Sequence, residues 1–194
     1  MLVRVGRRGE PTDTPAALIR ACHDRLRFFT ALASRLATEP SLSDAEVREA
    51  AERIHRYFTE ALPHHEADED ESVAPRLRGL SVEVDEALDR VAEEHRASAT
   101  HVDQIVRMTA ELVVEPGRRT ALRPELHRIA DGLLVFYQAH MTKEEAVVVA
   151  ALERSVASEE QQTILSEMRA RRAARPTADA GPSSPSTTGR RRAV

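Results

Sequence analysis

The chain has 194 residues, a hydrophobic content of 41% and a formal net charge of −4. This is enough for one domain with a sizeable core, and the charge excludes a strongly basic nucleic-acid binder. No apolar run approaches the ~18 residues of a membrane span, no signal peptide is visible, and the single cysteine excludes an intrachain disulfide. We therefore expect a cytoplasmic protein that binds neither membranes nor nucleic acid. Arginine carries almost all the basic charge, which suggests a GC-rich bacterial genome.

The composition predicts an all-helical protein, because aromatic residues make up only 3% and glycines number 7. Residues 1–12 are predicted to be a polar leader. Thr14 and Pro15 then predict the N-cap and first position of a helix. Ser43, with Glu46 three residues later, predicts a capping box at the start of a second helix.

Three further helices follow in chain order. The second helix is predicted to end near Pro75, and a third to begin near Ser81 and to end at "EPGRR", 115–119. A fourth follows, and a short fifth is predicted at the C-terminal end. The Pro- and Ser-rich segment beyond it is predicted to be disordered. The predicted layout is an antiparallel up-down four-helix bundle at 13–155, a short C-terminal helix at 156–172 and a disordered tail at 173–194.

Each of the four long predicted helices places one histidine on its apolar face. At about 100° per residue, His65 continues the stripe of Leu62, whereas the adjacent His64 is turned away from it. The four inward histidines are His23, His65, His95 and His140. Of the others, His64, His101 and His127 are expected at the surface, and His55 is ambiguous.

The four inward histidines are also predicted to lie at one depth. In an antiparallel pair, residues at the same level are equally far in sequence from the turn between them. The midpoint of His23 and His65 is residue 44, that of His65 and His95 is residue 80, and that of His95 and His140 lies between 117 and 118. All three midpoints fall in predicted turns, which indicates a single layer.

Two carboxylates join this layer, because Glu69 and Glu144 each lie one helical turn after a layer histidine. The alternative is a helical protein without metal, in which isolated core histidines are hydrogen-bonded to glutamates. We favour a metal site, since so many buried ionisable groups on one level are costly without a cation. The donors suit iron, manganese or zinc and are too many for one tetrahedral zinc. Sequence order pairs His23 with His65 on one ion and His95 with His140 on the other, with both glutamates bridging.

The motifs "HHEADEDESVAP" and "HMTKEEAVVVA" resemble the second- and fourth-helix patterns of the hemerythrin-like (HHE cation-binding) family. "DRVAEEH" and "LIRACHDRLR" supply the remaining two histidines, and Ala150 stands where the family usually has proline. The resemblance covers about residues 14–153. It implies a non-haem di-iron centre, oxo- or hydroxo-bridged, with manganese and zinc as lower-ranked alternatives. It also implies that the protein handles oxygen, peroxide, nitric oxide or iron.

One position departs from the oxygen-carrying members, which have a second histidine one turn further along the third helix. Here that position is Ala99. A four-histidine, two-glutamate set should leave the irons less saturated, which favours redox chemistry or sensing over reversible carriage. We therefore expect the protein to bind a small diatomic or peroxide ligand and to act in redox or nitrosative stress or in iron homeostasis. One version of this hypothesis is an enzyme with peroxidase-, catalase- or NO-reductase-like turnover. The alternative is a non-enzymatic iron or oxygen sensor or interaction protein whose bundle stability depends on metal.

The acidic stretch around the second-helix ligands carries two further predictions. Asp68, Asp70 and Glu71 are predicted to form a solvated face. Pro63 is predicted to cause a kink or a loosened turn just ahead of His65. Elsewhere, Cys22 is expected to be a free buried thiol, and Tyr57 and Tyr137 are expected to be core aromatics.

Overall fold

The computed structural model describes residues 13–173. Of these residues, 91% are helical, and they form five helices and no strand. The prediction of an all-helical protein is therefore confirmed. Between residues 13 and 173, none of the helices combines the length and apolar character needed to cross a membrane. The predicted leader, 1–12, and the predicted tail, 173–194, lie outside the described residues, except for Ala173.

The first three helices begin at the predicted caps. They are α1 (Pro15–Thr38), α2 (from Asp44 to Leu77) and α3 (Val82–Val114). The side chains of Thr14, Ser43 and Ser81 each accept a hydrogen bond from a backbone amide in the first turn of the following helix, which satisfies a donor that has no partner within the helix. Gly79 adopts a positive φ of 85° in the turn between α2 and α3, a conformation that is strained for any residue with a Cβ atom.

The last two helices follow a short 3-10 turn at Pro116–Arg118. They are α4 (from Arg119 to Ser155) and α5 (Ser158–Ala173). The predicted fifth helix therefore exists, and its boundaries agree with the prediction to within two residues.

Helices α2 and α4 are not regular along their whole length. Three π-helical segments interrupt them: Tyr57–Ala61, Asp68–Val73 and Glu145–Val149. The first ends two residues before Pro63, which has no backbone amide to donate to the carbonyl of Thr59 four residues earlier. The loosened turn predicted ahead of His65 is present here. The other two segments contain or directly follow Glu69 and Glu144, in keeping with the frequent occurrence of π-bulges at functional sites.

The helices pack around two separate apolar clusters. Helix α1 contacts α2 and α4, and α3 also contacts α2 and α4. The first core cluster includes Leu26, Ile54, Ile105, Leu126 and Tyr137, and the second includes Ile19, Leu77, Leu88, Leu152 and Ile164. Along α1, His23 falls between Ile19 and Leu26, and the other inward histidines likewise fall between members of the two clusters. The polar layer therefore separates the two halves of the core.

Candidate metal centre

All six residues singled out from the sequence are buried in one place. The four histidines come from four different helices, and the two glutamates come from α2 and α4. The exposed fraction of each residue is at most 9%: His23, His65, Glu69, His95, His140 and Glu144. Helical spacing thus brings together side chains from positions 23 to 144 of the chain.

Glu69 lies at the centre of two potential ligand groups. Ligand atoms of His23, His65 and Glu69 all lie within 4.8 Å of one another, and so do ligand atoms of Glu69, His95 and His140. The Oε1 atom of Glu69 is 2.9 Å from His65 Nδ1, whereas its Oε2 atom is 3.2 Å from His95 Nε2. One carboxylate therefore faces both histidine pairs, in the same two pairings that sequence order suggested.

Glu144 also faces both pairs. Its Oε2 atom is 3.1 Å from His23 Nε2 and 3.5 Å from His140 Nε2. The two carboxylates, one from α2 and one from α4, thus lie between the histidine pairs. A bridging role requires this position.

Many polar atoms of this layer have no hydrogen-bond partner. Among the described residues, ten buried side-chain N or O atoms lack a partner, and eight of them belong to five of the six layer residues. They are His23 Nε2, both ring nitrogens of His65, both carboxylate oxygens of Glu69 and of Glu144, and His95 Nδ1. Leaving a buried polar atom unpaired costs about 1–3 kcal/mol. Coordination to a cation would satisfy these atoms together, and imidazole and carboxylate are suitable ligands for divalent metals, so the site fits a metal.

Comparison with known protein families agrees with this geometry. Residues 14–152, well over half of the chain, match the hemerythrin HHE cation-binding domain. The chain belongs to this family. Neither the search of curated proteins nor the search of solved structures found a match.

Two carboxylates outside the layer contact two of the layer histidines of this hemerythrin domain. His23 Nδ1 is 2.7 Å from Glu145 Oε1, and His140 Nδ1 is 2.7 Å from Glu94 Oε2. Glu145 is itself paired with Arg27 at 3.0 Å. A carboxylate on Nδ1 selects the tautomer whose Nε2 lone pair is free for a metal and makes that nitrogen a better donor.

Sequence reasoning missed both of these outer carboxylates. Glu94 directly precedes His95, and Glu145 directly follows Glu144, so each is turned by about 100° from a layer residue and resembles an ordinary surface acid. Each reaches a histidine on a neighbouring helix. Finding them requires knowing which helices are neighbours, and the only signal in the sequence is their adjacency to a predicted ligand.

Charge within the layer shifts the pKa of several groups. Burial by itself lowers the pKa of His23, His65 and His95, but nearby carboxylates outweigh this effect and raise all three. The carboxylate is mainly Glu144 for His23 and Glu69 for the other two. Burial opposes ionisation of Glu69 as well, yet His65 and His95 hold its pKa well below the usual range. Buried imidazole and buried carboxylate groups thus shift each other's pKa in this layer, and a cation would compete with protons for both.

The residues around the layer agree with the sequence predictions except at Asp68. Cys22 is a free buried thiol, and burial raises its pKa, but His65, Arg25 and Arg172 outweigh that effect and lower it. Asp70 and Glu71 are exposed, as predicted, whereas Asp68 is completely buried. The prediction of a solvated Asp68 was therefore wrong, because α5 covers this carboxylate and pairs it with two arginines.

Both tyrosines lie in the core of the hemerythrin domain. The Tyr137 hydroxyl donates to Ser98 Oγ at 3.2 Å, and its ring centroid is 6.2 Å from that of His140. Tyr57 stacks on Phe29 with centroids 4.3 Å apart. Burial raises the pKa of both phenols, so both stay protonated at neutral pH, as expected for core aromatics.

Proposed function

We propose that this protein is a non-haem di-iron protein that binds or reduces a small ligand such as O2, peroxide or NO. The observation that carries the proposal is the buried layer of four histidines and two glutamates with eight unpaired polar atoms. We further propose that α1 to α4 form an antiparallel up-down bundle at 13–155, with α5 as an appended helix. The pairwise packing of α1 and α3 against both α2 and α4 supports this arrangement.

The proposed ligand set divides between two ions. His23 and His65 would hold one ion, His95 and His140 the other, and Glu69 and Glu144 would bridge them. When bound, the iron pair supplies one-electron redox chemistry and open coordination positions for a small ligand. Iron ranks ahead of manganese and zinc because a mixed imidazole and carboxylate set suits non-haem iron, and six donors exceed the needs of tetrahedral zinc.

The protein's own residues have three tasks at this site. Glu94 and Glu145 hold the Nδ1 protons of His140 and His23 and orient their Nε2 atoms toward the layer. The two core clusters on either side of the layer exclude bulk water. Glu69 and Glu144 supply the negative charge that balances the cations.

The ligand count favours redox chemistry or sensing over reversible oxygen carriage. The residue one turn after His95 is Ala99, which is exposed and has no ligand atom, so α3 offers the layer one histidine. Fewer histidines leave more coordination positions for a reactive ligand. We propose a role in redox or nitrosative stress or in iron homeostasis, in the cytoplasm, where the free buried thiol of Cys22 would persist.

Metal analysis and the optical spectrum of the oxidised, iron-loaded protein test the metal site. We expect two irons per chain and the absorption of an oxo-bridged diferric centre. The variant His65→Ala/Glu144→Ala should lose both, whereas His127→Ala should retain them, because His127 is exposed. Less than one metal per chain after expression in iron-rich medium would instead support a bundle without metal.

A turnover assay separates an enzyme from a sensor. An enzyme consumes hydrogen peroxide or NO when loaded with iron, and the His65→Ala/Glu144→Ala variant loses this turnover; equal turnover by both proteins would contradict the enzyme proposal. The sensor alternative is favoured by the position of the layer between the two core clusters, where metal binding would couple to folding. It predicts a large difference in protease resistance between iron-free and iron-loaded protein, and equal digestion would contradict it.

A further inference from the structure

Helix α5 lies beyond the family match, which ends at residue 152, yet it packs directly on the rest of the molecule. Its apolar side chains Ile164, Leu165 and Met168 are at most 2% exposed and belong to the second core cluster. The helix also packs against the π-helical segment Asp68–Val73 of α2. Its last turn reaches this segment, because Arg171 hydrogen-bonds to Asp68 and Ser72.

Two arginines of that last turn bind one buried carboxylate. Asp68 has no solvent exposure, and its Oδ1 atom accepts a hydrogen bond from Arg171 Nη1. Its Oδ2 atom accepts one from Arg172 Nη2 at 2.5 Å. Arg171 Nη2 also donates to Glu71 Oε2 at 3.0 Å and to Ser72 Oγ at 3.3 Å. A buried carboxylate held by two guanidinium groups occupies a well-defined position, because charge-assisted hydrogen bonds are strong and directional.

Arg172 connects this carboxylate with α1. Its Nη2 atom lies 3.4 Å from Cys22 Sγ as well as 2.5 Å from Asp68 Oδ2, and its Nη1 atom donates to the Met168 carbonyl at 2.7 Å. Cys22 directly precedes His23, and Asp68 directly precedes Glu69. One guanidinium group thus contacts the residue before a proposed ligand on each of two helices.

We propose that Arg171 and Arg172 are positioning residues for the metal centre and that α5 is a functional part of it. The arginines hold Asp68, and with it the π-helical turn that carries Glu69, at the position the two ions require. Because coupling between two binding events is reciprocal, metal binding in turn strengthens the docking of α5. This inference rests on the proposed metal site, and it extends that site to a helix outside the family match.

The matched variants for a test are Arg172→Gln and Arg76→Gln. Arg76 also pairs α2 with α5, through Glu160 at 2.9 Å and Glu167 at 2.6 Å, but it contacts no residue adjacent to a proposed ligand. Both changes weaken the docking of α5, and only Arg172→Gln removes a guanidinium contact with Asp68 and Cys22. Each protein is freed of metal and titrated anaerobically with Co(II), whose visible spectrum reports coordination, and thermal unfolding is measured in parallel.

We expect Arg172→Gln to weaken Co(II) binding about 10-fold, the low end of the loss found when a direct outer partner of a ligand is removed, because Arg172 acts through the neighbours of the proposed ligands. We also expect it to alter the Co(II) spectrum. Arg76→Gln should bind Co(II) within about twofold of the wild type, although it loses two ion pairs to the same helix. The proposal is overturned if Arg172→Gln binds like the wild type, or if Arg76→Gln weakens binding equally. Arg172→Lys is the milder variant if Arg172→Gln does not fold. It keeps the charge, but its single ammonium group should not restore full affinity.

Hydrogen–deuterium exchange on the wild type tests the reciprocal effect without any substitution. Amides of residues 158–173 should exchange more slowly in the Co(II)-loaded protein than in the metal-free protein. Unchanged exchange in α5 upon loading would contradict the proposal. If the wild type binds no Co(II), the proposed metal site itself fails, which distinguishes that outcome from the failure of this inference.

Discussion

Glu94 and Glu145 show how a single outer carboxylate can decide the properties of a buried histidine. Each accepts the Nδ1 proton of one layer histidine at 2.7 Å, and each is only partly exposed. A carboxylate at this position fixes the rotation of the ring and directs its Nε2 atom toward the layer. Affinity for a metal should therefore depend on residues that would never bind the metal themselves.

The variant Glu94→Gln tests this dependence. The amide is neutral and cannot supply the same negative charge to His140, so we expect affinity for Fe(II) to fall about 10-fold. The exposed neighbour Glu93 provides the control, because Glu93→Gln removes the same charge one residue away without touching a ligand. Anaerobic Fe(II) titration measures the affinity of both variants. Equal affinities of Glu94→Gln and Glu93→Gln would show that the negative charge of Glu94 matters and its contact with His140 does not.

The two tyrosines form a second matched pair of residues. Tyr137 donates a hydrogen bond to Ser98, whereas the Tyr57 hydroxyl makes no hydrogen bond with any residue between 13 and 173. We expect Tyr137→Phe to reduce the free energy of unfolding by about 1 kcal/mol, and Tyr57→Phe to reduce it less. Urea unfolding measures both, and both variants should retain two irons per chain. Loss of iron from Tyr137→Phe would give this tyrosine a role at the metal centre instead of in packing.

At the scale of the helices, each start depends on a few residues close together in sequence. The capping box at α2 is an example, because the Ser43 hydroxyl accepts from the Glu46 amide and the Glu46 carboxylate accepts from the Ser43 amide. These contacts lie in an exposed loop that contributes no residue to the polar layer.

Removing this cap should affect stability alone. We expect Ser43→Ala to lower the free energy of unfolding by about 1 kcal/mol, while Ser41→Ala in the same exposed loop should be neutral. Thermal unfolding of the metal-free proteins measures the difference. Iron stoichiometry should be unchanged in both variants, and a loss of iron from Ser43→Ala would contradict the separation of this cap from the metal site.

The same locality explains which features could be predicted from the sequence. Caps and inward positions follow from spacings of three to seven residues along one helix, so the cap at Ser43 and the burial of His65 were both predicted correctly. Asp68 was not, because its burial depends on Arg171, which lies 103 residues away. The contacts of Glu94 and Glu145 were not predicted for a related reason, since each carboxylate contacts a histidine on another helix. Contacts between helices depend on packing geometry that no local spacing contains.

At the scale of the whole molecule, the core is divided. The polar layer lies between two apolar clusters, and eight of its buried polar atoms have no hydrogen-bond partner. A ligand that binds only the folded state stabilises it by an amount that grows with the logarithm of its concentration.

Metal removal should therefore reduce stability strongly. At free Fe(II) about 100-fold above the dissociation constant, we expect the folded protein to gain about 2.7 kcal/mol, measured as the difference between urea unfolding with Fe(II) and with a chelator under anaerobic conditions. His65→Ala should remove this difference, and His127→Ala should preserve it. A wild-type protein that unfolds identically under both conditions would contradict metal binding at the layer.

The division of the core also bears on how the chain loses its structure. Free energies of local opening differ between parts of a protein, and contiguous packed regions open as cooperative units. We expect the clusters on either side of the layer to behave as two such units in the metal-free state, so that the half containing α5 opens while the other stays closed. Cations bound by residues of α1 to α4 would tie the two units into one. Metal supply would then determine whether the molecule denatures in one step or in two, and so how readily proteases reach it when the metal is scarce.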